Sequence, residues 1–287
     1  MSIYHNIIRL LLSLLLSTSL YANESESFTD FSSIIDSFIE NDHKIKEKTN
    51  LAGKQRMLTQ RITKLALLID SNIKSKKNIK KLQKVTNLYS QNLTALQSDN
   101  EESTQQLEVI KKLWRPFQKN IENVIDNKKG IEYIIQHNEE LLEASNKLVT
   151  IYETSNSNLN YLDKAKLHIV NLAGRQRMLL EKMSKEKILL FRKNNTYKKK
   201  LQTSIYEFDS ALKKLRSGDS SKHIPKVGNP KLIKKLNIIE PLWKKLKPLY
   251  TKEDLNQKEL LTLIRQSSLL LLESNIYVKL TELEQEY

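Results

Sequence analysis

Residues 50–62 read NLAGKQRMLTQRI, and residues 171–183 read NLAGRQRMLLEKM. The first nine positions of the two stretches differ only at Lys54 and Arg175, although the stretches lie 121 residues apart (171 − 50). The chain has only five glycines, so its composition does not account for a glycine repeated at this place. Apolar residues recur at three- and four-residue spacing through both stretches, which predicts that each one is a helix.

The same periodicity continues along almost the whole chain, and strand-like alternation is nearly absent. Five glycines and five prolines in 287 residues leave few points at which a helix must end. Polar and Gly/Pro-containing breaks divide the chain into seven predicted helices, the fourth of them very long. They cover residues 28–72, 76–97, 102–126, 131–192, 197–216, 230–249 and 254–285.

The repeat extends beyond the two opening stretches. Leu113-Trp114 matches Leu242-Trp243, and a Leu-x₃-Asn-x₂-Val pattern occurs at residues 142–149 and again at 271–278. An internal duplication at this spacing indicates two copies of one module. We therefore predict an all-α fold in which two tandem four-helix-bundle modules, residues 28–154 and 155–287, are joined by a long shared helix.

The N-terminus predicts export. Arg9 precedes a short apolar run, and Tyr21-Ala22 leads into a polar, acidic stretch, so residues 1–22 resemble a cleavable signal peptide. The alternative is that the segment stays uncleaved and anchors the chain to the inner membrane. No later segment is apolar enough to span a membrane, and the absence of cysteine excludes disulfides and thiolate metal sites.

The composition argues against nucleic-acid binding and against catalysis. The net charge of +15 is spread along the chain, and an exported protein does not meet nucleic acid in the cytoplasm. The five histidines form no metal-ligand spacing, and neither a nucleophile motif nor a phosphate-binding loop is present. We expect no enzyme activity, no cofactor and no metal.

Each repeated stretch places a small-residue pair beside an arginine. Gly53 and Gly174, with the alanines before them, allow a neighbouring helix to approach closely. Arg56 and Arg177 follow one turn later, and their planar guanidinium groups suit a small oxyanion or a carboxylate. Two interpretations stay open: solvated arginines beside packing glycines, or arginines held at a helix or subunit interface.

The sequences NLAGKQRMLTQRITK and VNLAGRQRMLLEKMSKE resemble the signature helix of the PilJ/NarX-like sensory domain, through its Ala-Gly-x-x-Arg-Met core. That domain is the periplasmic part of type IV pilus chemotaxis transducers and of nitrate/nitrite sensor kinases. The resemblance implies that Arg56 and Arg177 contact an anion at a dimer interface, so a homodimer is expected. It also implies a supporting role for the rest of the motif: Gly53, Gln55, Met57, Gln60, Gly174, Gln176 and Met178.

The copies diverge after the shared motif, where Thr59-Gln60-Arg61 is matched by Leu180-Glu181-Lys182. We expect Glu181 to neutralise Arg177, which makes the first copy the better sensor candidate. The predicted function is that of a periplasmic sensory bundle that binds nitrate, nitrite or a carboxylate and acts with a separate membrane receptor or kinase. The alternative is a structural protein that docks on a chemoreceptor, pilus or envelope assembly without binding a ligand.

Overall fold

The computed structural model describes residues 48–98, 100–127, 129–155, 161–222 and 224–283. The predicted signal peptide and the first part of the predicted helix at 28–72 lie outside these residues. The described part holds eight α-helices and no strand, which confirms the all-α prediction. They are α1 (Lys48–Asp70), α2 (Ser75–Ala95), α3 (Glu101–Asn127), α4 (Ile131–Ser155), α5 (Tyr161–Phe191), α6 (Tyr197–Ser217), α7 (Pro230–Thr251) and α8 (Gln257–Leu283).

Local sequence signals set several helix ends. Asn229 caps α7, since its side chain accepts hydrogen bonds from the backbone N–H groups of Lys231 (2.8 Å) and Leu232 (3.4 Å). Pro230 follows as the first helical residue, where a missing N–H is tolerated. Two acidic residues occupy the first turn of α3, where the positive end of the helix dipole stabilises their negative charges.

The helices form two similar four-helix groups. In the first, α1 packs against α2 and α4, and α3 packs against α4; in the second, α5 packs against α6 and α8, and α7 packs against α8. Each core contains a tryptophan at the repeated Leu-Trp position. Trp114 lies 4.0 Å from Tyr89 between ring centroids, and Trp243 lies 4.4 Å from Phe208. Both tryptophans are buried, as the duplication predicts for core residues.

The two groups share one long contact, in which α1 packs directly against α5. Side chains that bond across this contact are 115 residues apart near the start of the pair, 120 in the middle and 122 at the end. A nearly constant separation means that the two helices run parallel, with equivalent positions of the repeat side by side. All described helices belong to one compact unit. None of them combines the length and the apolar composition needed to cross a membrane.

The connection between the two groups differs from the predicted long shared helix over residues 131–192, because the structure has two helices there, α4 and α5. Glu153 on α4 bonds Asn171 on α5 at 2.6 Å, and Glu139 bonds Lys185 at 2.5 Å. The sequence separation of these pairs grows from 18 to 46 residues, so α4 and α5 run in opposite directions and are joined by long side chains. Residues 156–160 lie outside the described part, and no Gly or Pro there signals a change of direction in the sequence.

Candidate functional site

The two motif arginines meet at the contact between α1 and α5. Arg56 is 6% exposed and Arg177 is 3% exposed. Nη2 of Arg56 donates to Oδ1 of Asn171 at 2.6 Å, and Nη2 of Arg177 donates to Oδ1 of Asn50 at 3.0 Å. Each arginine therefore bonds the asparagine that opens the other copy of the motif. This reciprocity gives the site approximate two-fold symmetry within a single chain.

The fourth helix of each group supplies a second amide to the same guanidinium. Nη1 of Arg56 lies 3.5 Å from Oδ1 of Asn146 on α4, and Nη1 of Arg177 lies 3.4 Å from Oδ1 of Asn275 on α8. These are the asparagines of the repeated Leu-x₃-Asn-x₂-Val pattern. Their long donor–acceptor distances indicate weak hydrogen bonds, because N–H···O bonds prefer about 2.9 Å.

The motif glycines make room for their own arginines. A Cβ atom placed on Gly53 would lie 3.3 Å from Nη2 of Arg56, and one on Gly174 would lie 3.5 Å from Nη2 of Arg177. Each guanidinium thus folds back over the helix turn from which it starts. The motif glycines were predicted to allow a neighbouring helix to approach. The atom that an added Cβ would meet is instead Nη2 of the arginine one turn later on the same helix.

Several charged groups act on Arg56 at this site. Burial lowers the pKa of Arg56 to about 10; Glu153 opposes that effect, and the nearby Arg175 and Arg177 reinforce it. The guanidinium therefore stays charged at neutral pH. Burial raises the pKa of Glu153, against the influence of Arg56 and of the hydrogen bond from Asn171. Nε of Arg56 has no hydrogen-bond acceptor among the described residues.

The other motif residues have mainly internal contacts. Nε2 of Gln55 donates to the Tyr89 carbonyl at 3.0 Å, and Nε2 of Gln176 donates to the Phe208 carbonyl at 3.2 Å, so each glutamine ties its motif helix to the next helix. Both motif methionines, Met57 and Met178, are buried in the core. Gln60 is fully buried one turn after Arg56, and neither of its amide atoms has a hydrogen-bond partner in the described part of the chain.

Glu181, where the second copy of the motif diverges from the first, does not pair with Arg177 as expected. Oε1 of Glu181 accepts from Nη1 of Arg61 at 2.9 Å, and its other oxygen pairs with the ammonium of Lys64. These cations hold the pKa of Glu181 below its usual value, although burial acts in the opposite direction. The expectation that Glu181 neutralises Arg177 is therefore wrong, because its carboxylate is turned across the helix contact toward α1.

Sequence reasoning found the arginines but missed the residues that bond them. The motif itself contains Asn50 and Asn171, yet an asparagine within a predicted helix does not by itself indicate a hydrogen bond to an arginine of another helix. The repeat comparison did identify Asn146 and Asn275 as matched positions, which was a usable signal. Glu153 has no signal of this kind, because its role depends on how α4 lies against α5.

Comparison with known proteins agrees with the duplicated motif. The family described as the type IV pili methyl-accepting chemotaxis transducer N-terminal domain, PilJ, matches residues 44–136 and again residues 158–267. Searches of curated proteins and of solved structures found no match. The two matched regions contain one copy each of the Ala-Gly-x-x-Arg-Met motif and together cover more than half of the chain. The chain therefore belongs to the PilJ family, with two tandem copies of its domain.

Proposed function

We propose that this PilJ-family sensory domain binds one small anion between Arg56 and Arg177. The observation that carries the proposal is the reciprocal placement of two buried guanidinium groups, one from each copy, whose described hydrogen-bond partners are neutral amide oxygens. Buried charges are expensive unless an opposite charge or good hydrogen bonds compensate them. An anion between the two groups would place a full negative charge against guanidinium forks that now donate to amide oxygens.

The local charge favours an anionic ligand. Arg175 and Arg177 both lie close enough to Arg56 to lower its pKa, and Glu153 acts in the opposite direction. A planar oxyanion such as nitrate, nitrite or a short carboxylate also matches the flat fork of a guanidinium. The Nε of Arg56 and the buried amide of Gln60 offer further donors on the same helix.

Binding would change how the helices are tied together. An anion that takes the guanidinium forks competes with Asn171 and Asn50 across the α1–α5 contact, and with Asn146 and Asn275 on the fourth helices. The weak bonds to Asn146 and Asn275 are the easier ones to exchange. A change in the position of α4 or α8 relative to the motif helices would then report the ligand to a separate receptor or kinase in the membrane.

Titration calorimetry with sodium nitrate, sodium nitrite and sodium acetate, at constant ionic strength in chloride, tests the proposal. We expect one site per chain for at least one of these anions. Arg56→Gln and Arg177→Gln should each abolish the binding heat. Arg175→Gln is the matched control, because it removes one positive charge from the exposed side of the same helix, where Arg175 pairs with Glu207. Failure of all three anions at millimolar concentration would refute the proposal.

The alternative function is that of a structural or interaction protein. One observation favours it: both guanidinium forks already hold amide oxygens, so the contact is bonded without a ligand. In that case Arg56→Met should retain the fold and no anion should bind to the natural chain. Two arginines are a costly choice for packing alone, since apolar side chains of similar size often serve as well or better.

Export is the remaining part of the proposal. The signal-like residues 1–22 support a periplasmic or secreted location, with an uncleaved inner-membrane anchor as the alternative. The mass of the protein recovered from the cell envelope distinguishes them. A chain that begins at Asn23 supports cleavage, and a chain of full mass in the membrane fraction supports the anchor. The parallel contact of α1 and α5 within one chain makes a homodimer unnecessary for pairing the two arginines.

A further inference from the structure

The second helix group contains a partly open cavity lined by Thr281, the residue whose equivalent in the first group is Tyr152. The cavity has a volume of about 210 Å³ and lies between the loop at residues 224–229 and the helices α5, α6, α7 and α8. Its walls are mostly apolar and include Ile169, Leu215, Leu232 and Tyr277, and Thr281 of α8 also lines it. None of these residues belongs to the arginine site.

The duplication pairs this part of the second helix group with a buried tyrosine of the first group. The spacing that relates Asn146 to Asn275 also relates Tyr152 of α4 to Thr281 of α8. Tyr152 is buried, and its hydroxyl donates to the backbone carbonyl of Gln97 at 2.7 Å, so its ring closes the end of the first helix group. Threonine at the equivalent position lacks that ring, and the longer loop after α6 covers the space without filling it.

The size of the cavity selects the size of its occupant. An engineered apolar cavity of ~150 Å³ stays dry and accepts benzene, whereas pockets for drug-sized ligands are several times larger. A volume of about 210 Å³ therefore fits one aromatic ring with a small substituent. The cavity is partly open on the side of the loop at residues 224–229, so a ligand can enter from solvent, and its predominantly apolar walls favour the face of a ring.

The oxygen of Thr281 indicates a donor on the occupant. The hydroxyl of Thr281 donates back to the carbonyls of Tyr277 (2.8 Å) and Val278 (2.9 Å), which leaves the oxygen able to accept a hydrogen bond. Thr281 is thus a hydrogen-bond acceptor in a wall that is otherwise mostly apolar.

We propose that this cavity is a binding site for a small aromatic molecule that carries one hydroxyl or N–H donor. Phenol and indole are the probes that represent this class. The ring takes the place that Tyr152 fills in the first group, and the donor bonds the threonine oxygen. Since Ile169 and Asn171 lie two residues apart on α5, the occupant also contacts the helix that carries half of the arginine site.

Ligand-observed NMR and calorimetry with phenol and indole test the proposal on the chain with residues 1–22 removed. We expect binding to the natural sequence and loss of detectable binding in Thr281→Tyr, which restores the ring of the first group. Thr281→Tyr should keep or raise the thermal unfolding midpoint, so lost binding will not reflect unfolding. Thr281→Ser, the matched control, keeps both the space and the hydroxyl and should bind as the natural chain does.

The first helix group offers a converse experiment. Tyr152→Thr opens the equivalent space there, and we expect the phenol stoichiometry to rise from one to two if that variant remains folded by circular dichroism. Arg56→Gln should bind phenol like the natural chain, so the outcome does not depend on anion binding. The proposal is overturned by no phenol or indole binding at millimolar concentration, by equal binding to Thr281→Tyr, or by equal binding of cyclohexanol.

Discussion

Replacing Glu186 by glutamine should stabilise the protein at alkaline pH. Glu186 on α5 is fully buried, no described donor bonds its carboxylate oxygens, and the ammonium of Lys182 lies 3.9 Å from Oε1. Burial raises the pKa of this carboxyl to about 7, against the opposing influence of Lys185, Lys182 and Ser204. The folded protein therefore holds a proton that the unfolded chain, with an ordinary glutamate pKa of 4.5, releases earlier.

The direction and the size of the change in unfolding free energy follow from this difference in pKa between the folded and unfolded states. Below the unfolded pKa both states are protonated and the penalty is absent. As the pH rises toward about 7, the unfolded state is favoured by about 1.4 kcal/mol for each pH unit. Glu186→Gln removes this penalty, so the variant should exceed the natural chain in unfolding free energy by about 1 kcal/mol at pH 5 and about 3 kcal/mol at pH 8.

Urea unfolding at pH 5, 6, 7 and 8, followed by circular dichroism for both chains, measures the difference at each pH. Glu143→Gln is the control, because it makes the same chemical change at an exposed glutamate on α4. A Glu186→Gln effect that does not change between pH 5 and pH 8 would refute the reasoning, as would an effect that decreases.

The remaining predictions concern the contact between α1 and α5. Glu181→Gln should lower the unfolding free energy by about 3–5 kcal/mol at pH 7, because it removes a buried carboxylate that pairs with both Arg61 and Lys64. Lys198→Ala, which breaks an exposed pair, should leave the urea midpoint unchanged; equal losses in the two variants would contradict this. Gly174→Ala should raise the thermal midpoint through a gain of up to about 1 kcal/mol in helix propensity. Gly53→Ala should gain less, because its Cβ presses on Nη2 of Arg56; an equal gain would show that the guanidinium moves without cost.

Sequence reasoning predicted the parts of this fold that depend on local pattern. Helical periodicity and scarce Gly and Pro gave the all-α class, and the repeated Leu-Trp and Leu-x₃-Asn-x₂-Val patterns gave the duplication and its buried tryptophans. It did not predict how α4 and α5 are placed, because residues 156–160 contain neither of the residues that force a helix to end. The antiparallel arrangement depends instead on tertiary contacts such as Lys185–Glu139.

The sequence predicted the repeated residues of the candidate site but not the contacts they make across helices. The repeated motif located Arg56 and Arg177 and its glycines, since identity between two copies within one chain is visible without any structure. The partner of Glu181 was not, because neighbours on one helix at i and i+4 suggest Arg177, whereas the actual partners lie on another helix 117 and 120 residues away. The cavity beside Thr281 was not predicted, because the exchange of a tyrosine for a threonine became informative only once the structure showed that Tyr152 is buried.

The parallel contact of two non-identical motif helices has a consequence that separate subunits lack. In a symmetric pair of identical chains, any substitution at the interface occurs on both sides, so a carboxylate near the axis faces a second carboxylate. Here Glu181 faces Arg61 and Lys64, while the position equivalent to Glu181 is the neutral Gln60. Covalent fusion of the halves frees each side of the interface to change independently, so one copy can gain a buried ion pair at a position where the other copy keeps a neutral side chain.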